Sequence, residues 1–188
     1  PDRMLASVLE VEKHWTAADP SFNTILGCRA FAHDESGYYT EAEAAGREAI
    51  FRDPTDVWAA HAVAHVMEMQ GRRGEGIQWI ASLENNWAGK NNLKHHLWWH
   101  RAMYHAEYKE FGKVLELYDN NYRDLGSDLT KAQPDLYIDM QNACSMLFRL
   151  SRHGVDVGDR WNELADKAEG RIGDCQNLFT APHWMMAL

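Results

Sequence analysis

The chain has 188 residues, 45% of them hydrophobic and 25% charged, an ordinary balance for a soluble folded protein with room for about five 34-residue helical repeats. Its 19 basic and 28 acidic residues give a formal charge of −9 with no basic run, which argues against nucleic acid or an anionic membrane as the main partner. With 5 prolines, no low-complexity stretch and no apolar run near the roughly 20 residues that cross a bilayer, neither long disordered linkers nor a transmembrane helix is expected.

In chain order, Arg3–His14 has the pattern of a helix and is expected to be the second half of an earlier repeat. In the next repeat Leu26 and Ala30 suit helix packing, whereas Arg29 falls where an apolar residue belongs. Either the register drifts there or Arg29 has a buried acidic partner. The stretch Gly37-Tyr38-Tyr39-Thr40-Glu41-Ala42, followed by Ala49 and Asp53-Pro54, has the tetratricopeptide second-helix pattern. A glycine makes the turn, an aromatic follows, small residues let helices approach, and Pro54 stops the helix because it has no N–H to donate. The glutamates of Glu41–Glu48 are expected on a solvated face.

Gly71 stands 34 residues after Gly37, with Gly76 in the place of Ala42. A third unit has Lys109 at the turn, Phe111 at the aromatic place and Val114 at the small one; its spacing of 38 implies a longer loop around Gly89 to Asn92. The fourth pairs helices over about Asp135–Ser151 and Asp159–Gly170 across the loop His153 to Gly158, and a fifth begins near Phe179. This predicts an all-α fold, a right-handed superhelix of about four to five tetratricopeptide-like helix-turn-helix repeats in a single domain over residues 1–188. Both ends are expected to be trimmed from a longer array, since the chain opens at Pro1 without methionine and a helix begun at His183 stops at Leu188. Cys28, Cys144 and Cys175 are scattered and odd in number, without a CxxC pair, which points to a reducing interior. Cys144 lies among apolar residues and is expected to be a small core filler.

Taking Pro54 as repeat position 32 assigns Ala60, Val63, Ala64 and Met67 to helix packing, and Trp58, His61, His65 and Glu68 to the concave groove. In the third repeat Lys109 as position 15 assigns Trp98 and Ala102 to packing, and His96, Trp99, His100 and Glu107 to the groove. Two first helices thus each present a pair of histidines four residues apart, where Cβ atoms are about 5–6 Å from one another. Most tryptophans are expected in the core, whereas Trp58 and Trp99 face the groove.

The stretches His61-Ala62-Val63-Ala64-His65-Val66-Met67-Glu68-Met69, His96-Leu97-Trp98-Trp99-His100, Cys144-Ser145-Met146-Leu147-Phe148-Arg149-Leu150 and Gly158-Asp159-Arg160-Trp161 resemble the tetratricopeptide repeat protein 38-like family. The likeness runs from about Met4 to Leu188 and implies an all-helical repeat fold, a cytoplasmic setting and a longer parent protein. The family motif carries over onto His61, His65, Glu68, His96, His100, Asp139 and His183, while Lys94-His95 and Arg101 depart from it and alter the charge of the groove.

Three functions stay open. The first is a binding groove lined by His, Trp and Glu for a peptide, a protein segment or a small ligand; it lacks the Lys, Arg and Asn that clamp acidic tails. The second is a metal-dependent, hydrolytic enzyme. There His61, His65, His96, His100 and His183 would be candidate ligands for zinc, manganese or iron, with Glu68 or Asp139 as further ligand and Glu68 as general base. The chain lacks the HExxH motif, because position 62 is Ala, and it lacks the Glu-x-x-His pattern of ferritin-like proteins. The third is a structural segment whose exposed repeat ends favour homo-oligomers. Against all three stands a plain polar seam, in which the histidines bond to one another, to Glu68 and to indole N–H groups.

Overall fold

A computed structural model describes residues 1–174 and 178–188, so Cys175 lies outside the described residues. Among the described residues every regular element is helical, and no helix is long and apolar enough to cross a membrane. The chain divides into two compact units, Pro1–Leu97 and Trp98–Leu188.

The first unit holds α1 (Asp2–Glu12), α2 (Phe22–Glu35), α3 (Tyr39–Arg52), α4 (Val57–Met69), α5 (Arg73–Leu83) and the start of α6 (Leu93–Glu107). Its turns follow from local chemistry. Gly37 takes a left-handed φ of 81°, its N–H bonds the Asp34 carbonyl at 2.9 Å, and the Tyr38 N–H bonds the His33 carbonyl at 2.9 Å. This Schellman closure satisfies carbonyls that the helix end leaves without partners. Gly71 repeats it with φ 68°, bonding Glu68, while Arg72 bonds Met67. At the other end of α3 the chain leaves Arg52 through extended Asp53, the conformation that the following Pro54 imposes. Asp56 then caps α4, its Oδ1 accepting from the Trp58 and Ala59 N–H groups at 2.9 and 3.0 Å, and its Oδ2 accepts from Asn23.

The core between α2, α3 and α4 is a seam of small residues. Ala30, Ala45 and Ala62 are fully buried together, with Phe31 packed against them. Gly46 completes it, because a β-carbon there would collide with Val63 Cγ2. The four residues assigned to packing on α4, Ala60, Val63, Ala64 and Met67, are all buried at 1% exposure or less. Arg29 finds its acidic partner in Glu12 of α1, which accounts for a cation at an apolar register position. The acidic face of α3 is less free than expected. Half-buried Glu43 accepts from Arg72 at 2.5 Å and from Arg47 at 2.8 Å, and the Arg72 guanidinium holds its carboxyl below the ordinary range.

The second unit holds the rest of α6, then α7 (Phe111–Leu117), a π-helical turn (Tyr118–Tyr122), α8 (Asp128–Ala132), α9 (Tyr137–Arg152), α10 (Arg160–Glu169) and α11 (Ala181–Ala187). The Schellman closure recurs at Gly154, and also at Lys109, a non-glycine held at φ 59°. The core gathers Val114, Met140, Cys144, Leu147, Leu150 and Leu164, all without exposure. Burial pushes the Cys144 thiol up to about 12, which leaves it an inert filler. Into this core reaches Arg123, whose Nε and Nη2 grip both oxygens of Glu163 at 2.7 Å. The Arg123 side chain is 1% exposed, so the pair joins the end of the π-helical turn to α10 in low dielectric.

Two substitutions measure these features. Replacing Lys109 by Gly should raise stability by about 0.5–1 kcal/mol in a urea melt, because the left-handed cost to an L side chain exceeds the added chain entropy. Replacing Glu163 by Ala should lower it by about 3–5 kcal/mol, since an uncompensated guanidinium stays buried; a loss under 1 kcal/mol would show that Arg123 finds another partner.

Candidate metal centre

With α4 started by the Asp56 cap, 3.6 residues per turn carry His61 and His65 to one face, and their rings meet with centroids 4.2 Å apart. From α6, His96 brings its ring to 4.9 Å from that of His61. His100 follows one turn later on the same helix. Each of the four imidazoles offers one nitrogen, and these atoms all lie within 4.8 Å of one another. Around a tetrahedral zinc ion with Zn–N bonds of about 2.0–2.1 Å, donor atoms stand about 3.3 Å apart. The widest separation therefore exceeds that of a tetrahedral set by up to about 1.5 Å.

Burial grades across the cluster. His61 and His100 are 5% and 3% exposed, whereas His65 keeps a quarter of its side chain in solvent and His96 is half-buried. The cluster is therefore more open to solvent at His65 and His96. Rings enclose the remainder: Phe31 lies 5.7 Å from His61 and 5.8 Å from His65, and Trp58 lies 4.6 Å from Phe31 and 5.5 Å from His61. Trp99 meets His100 edge-on at 5.1 Å, with the Arg149 guanidinium over the indole at 5.7 Å.

Behind His65 stands a pair of carboxylates from the last turn of α2. His65 Nδ1 lies 3.2 Å from Asp34 Oδ2 and 3.9 Å from Glu35 Oε1. Asp34 and Glu35 were not among the residues expected from the sequence. A signal exists for Asp34 alone: Phe31 and Asp34 precede His65 and Glu68 by the 34-residue period, so the register that assigns the α4 stripe to the groove assigns Asp34 too, whereas Glu35 aligns with Met69 outside the stripe.

Among the described residues, the groups of ligand atoms close enough to share an ion are His61, His65, His96 and His100, and Asp34, Glu35 and His65. Glu68, Glu107, Asp139 and His183 belong to neither. Glu68 is half-buried and Glu107 is exposed at the end of α6. Asp139 is fully buried in the first turn of α9. His183 is half-buried, and its Nδ1–H donates to the Phe179 carbonyl one turn back at 2.9 Å.

Two surface cavities of about 320 and 570 Å³ lie within the second unit. Their guanidinium groups are engaged already: Arg171 by Asp135 and Asp174, Arg160 by Asp119, and Arg123 by Glu163. Size therefore does not mark the chemistry here; the concentration of metal-ligating atoms does. No family model matches this chain, and no solved structure matches it.

Proposed function

We propose that this chain is a transition-metal-binding helical-repeat protein, with one ion held by His61, His65, His96 and His100. The observation that carries it is the gathering of four imidazole nitrogens within 4.8 Å. Four uncharged nitrogen donors suit zinc first, and also copper, nickel or iron, while magnesium and calcium prefer oxygen. The carboxylate behind His65 adds support, because a metal-bound imidazole almost always donates its other N–H to such a group, which fixes ring and tautomer.

The finer fold belongs to the same proposal. The repeated left-handed closures after α2, α4, α6 and α9 support tetratricopeptide-like helix pairs wound into a right-handed superhelix. The likeness to the tetratricopeptide repeat protein 38-like family supports that winding and a cytoplasmic setting. A second reading is a groove that takes a small ligand or a peptide beside the ion. The half-exposed rings of Phe31 and Trp58 flanking the histidines favour it.

Elemental analysis of protein purified without a tag tests the centre directly. Wild-type protein should carry zinc or another transition metal, and His61→Ala or His96→Ala should each lower the count by one ion per chain. Zinc at 100 times its dissociation constant should stabilise the wild type by about 2.7 kcal/mol. Acidification should release the ion, because protons compete with it for the imidazole nitrogens. Protein that binds no ion after stripping and reloading, or variants that hold as much as the wild type, would sink the proposal.

A further inference from the structure

Resting on the four-histidine reading, a second feature of the same region remains to be explained. Asp34 is 4% exposed, and its Oδ1 is buried with no hydrogen-bond partner among the described residues. Its other oxygen has the His65 contact at 3.2 Å, longer than the 2.7–2.9 Å or so of a charge-assisted hydrogen bond. A carboxylate taken out of water for one long contact is costly. Glu35 sends a second carboxylate to the same nitrogen, at 3.9 Å.

We infer that Asp34, Glu35 and His65 Nδ1 form a second cation site, for a zinc-, manganese- or iron-class divalent ion, which shares the His65 ring with the four-histidine centre. The spacings fit. Ligand atoms around an ion with bonds of about 2.0–2.2 Å stand about 3.2–3.6 Å apart in tetrahedral geometry. The 3.2 and 3.9 Å separations bracket that range. The mixed oxygen and nitrogen set suits borderline ions. Charge complements it as well: the four-imidazole centre is built of uncharged ligands, and the two carboxylates neutralise an added dication.

Seating the second ion forms two metal–oxygen bonds and one metal–nitrogen bond. His65 Nδ1 would give up its proton to solvent in taking the ion. The two centres then differ in kind. Four imidazoles fill a tetrahedral ion, whereas three protein ligands leave a position for water or a substrate oxygen, on the side where Glu35 is 41% exposed. An ion held there would supply water activation through that open position.

The test counts ions. Protein stripped by chelator and reloaded by dialysis against zinc should hold two per chain. Glu35→Gln, at an exposed position where folding is not at stake, should hold one, with the affinity of the remaining ion unchanged. Asp34→Asn should do the same. Wild-type protein with one ion makes Asp34 a hydrogen-bond partner only and overturns the second site while the four-histidine centre stands. A Glu35→Gln chain that keeps two ions, or loses both, overturns it equally. Wild-type protein with none overturns both proposals at once.

Discussion

Close approach of helices in the first unit rests on a few missing atoms. Ala30, Ala45 and Ala62 meet where larger side chains would hold α2, α3 and α4 apart, and Gly46 clears the space that Val63 occupies. Helix axes pack at about 8–10 Å according to the side chains between them. The distances around the histidines inherit that spacing. Phe31 and Asp34 on α2 touch His61 and His65 on α4 because no bulky residue separates the helices. A leucine in place of Ala30 or Ala62 would open the gap by more than a 3.2 Å contact can tolerate.

This arrangement puts polar chemistry on one stripe of α4 and keeps the opposite stripe dry. Ala60, Val63, Ala64 and Met67 are sealed, while Trp58, His65 and Glu68 stay half-buried. His61 lies between the two conditions, nearly sealed yet among rings and imidazoles. The rings of Phe31 and Trp58 exclude solvent on one flank, which strengthens every electrostatic contact inside.

Much of the first unit was legible because its signals are local. Gly37 and Gly71 mark turns that require a left-handed residue, Pro54 marks a stop, and a period of 34 aligns them. The histidine pairs were legible for the same reason, since spacing along a helix fixes the face. Lys109 was legible as a turn only through the register, because nothing in a lysine announces φ 59°. Asp34 was within reach of the 34-residue register, whereas Glu35 escaped because its nearness to His65 depends on an approach between α2 and α4 that the residues of α2 do not advertise. In the second unit the expected helices at about Asp135–Ser151 and Asp159–Gly170 appear as Tyr137–Arg152 and Arg160–Glu169. The π-helical turn, α8 and the buried Arg123–Glu163 pair were not foreseen. Each depends on which distant residue fills a space, and periodicity carries no such information.

The last turn of α2 serves two masters. The carbonyls of His33 and Asp34 close the Schellman turn into α3, while the side chains of Asp34 and Glu35 reach toward α4. Side chains from two helices that share one ion tie those helices together. Ions gripped from α2, α4 and α6 would therefore act as a rivet at one joint and leave the other joints unchanged. The stiffness of that joint, and hence how readily the hairpin of α2 and α3 frays, would rise and fall with the supply of free metal.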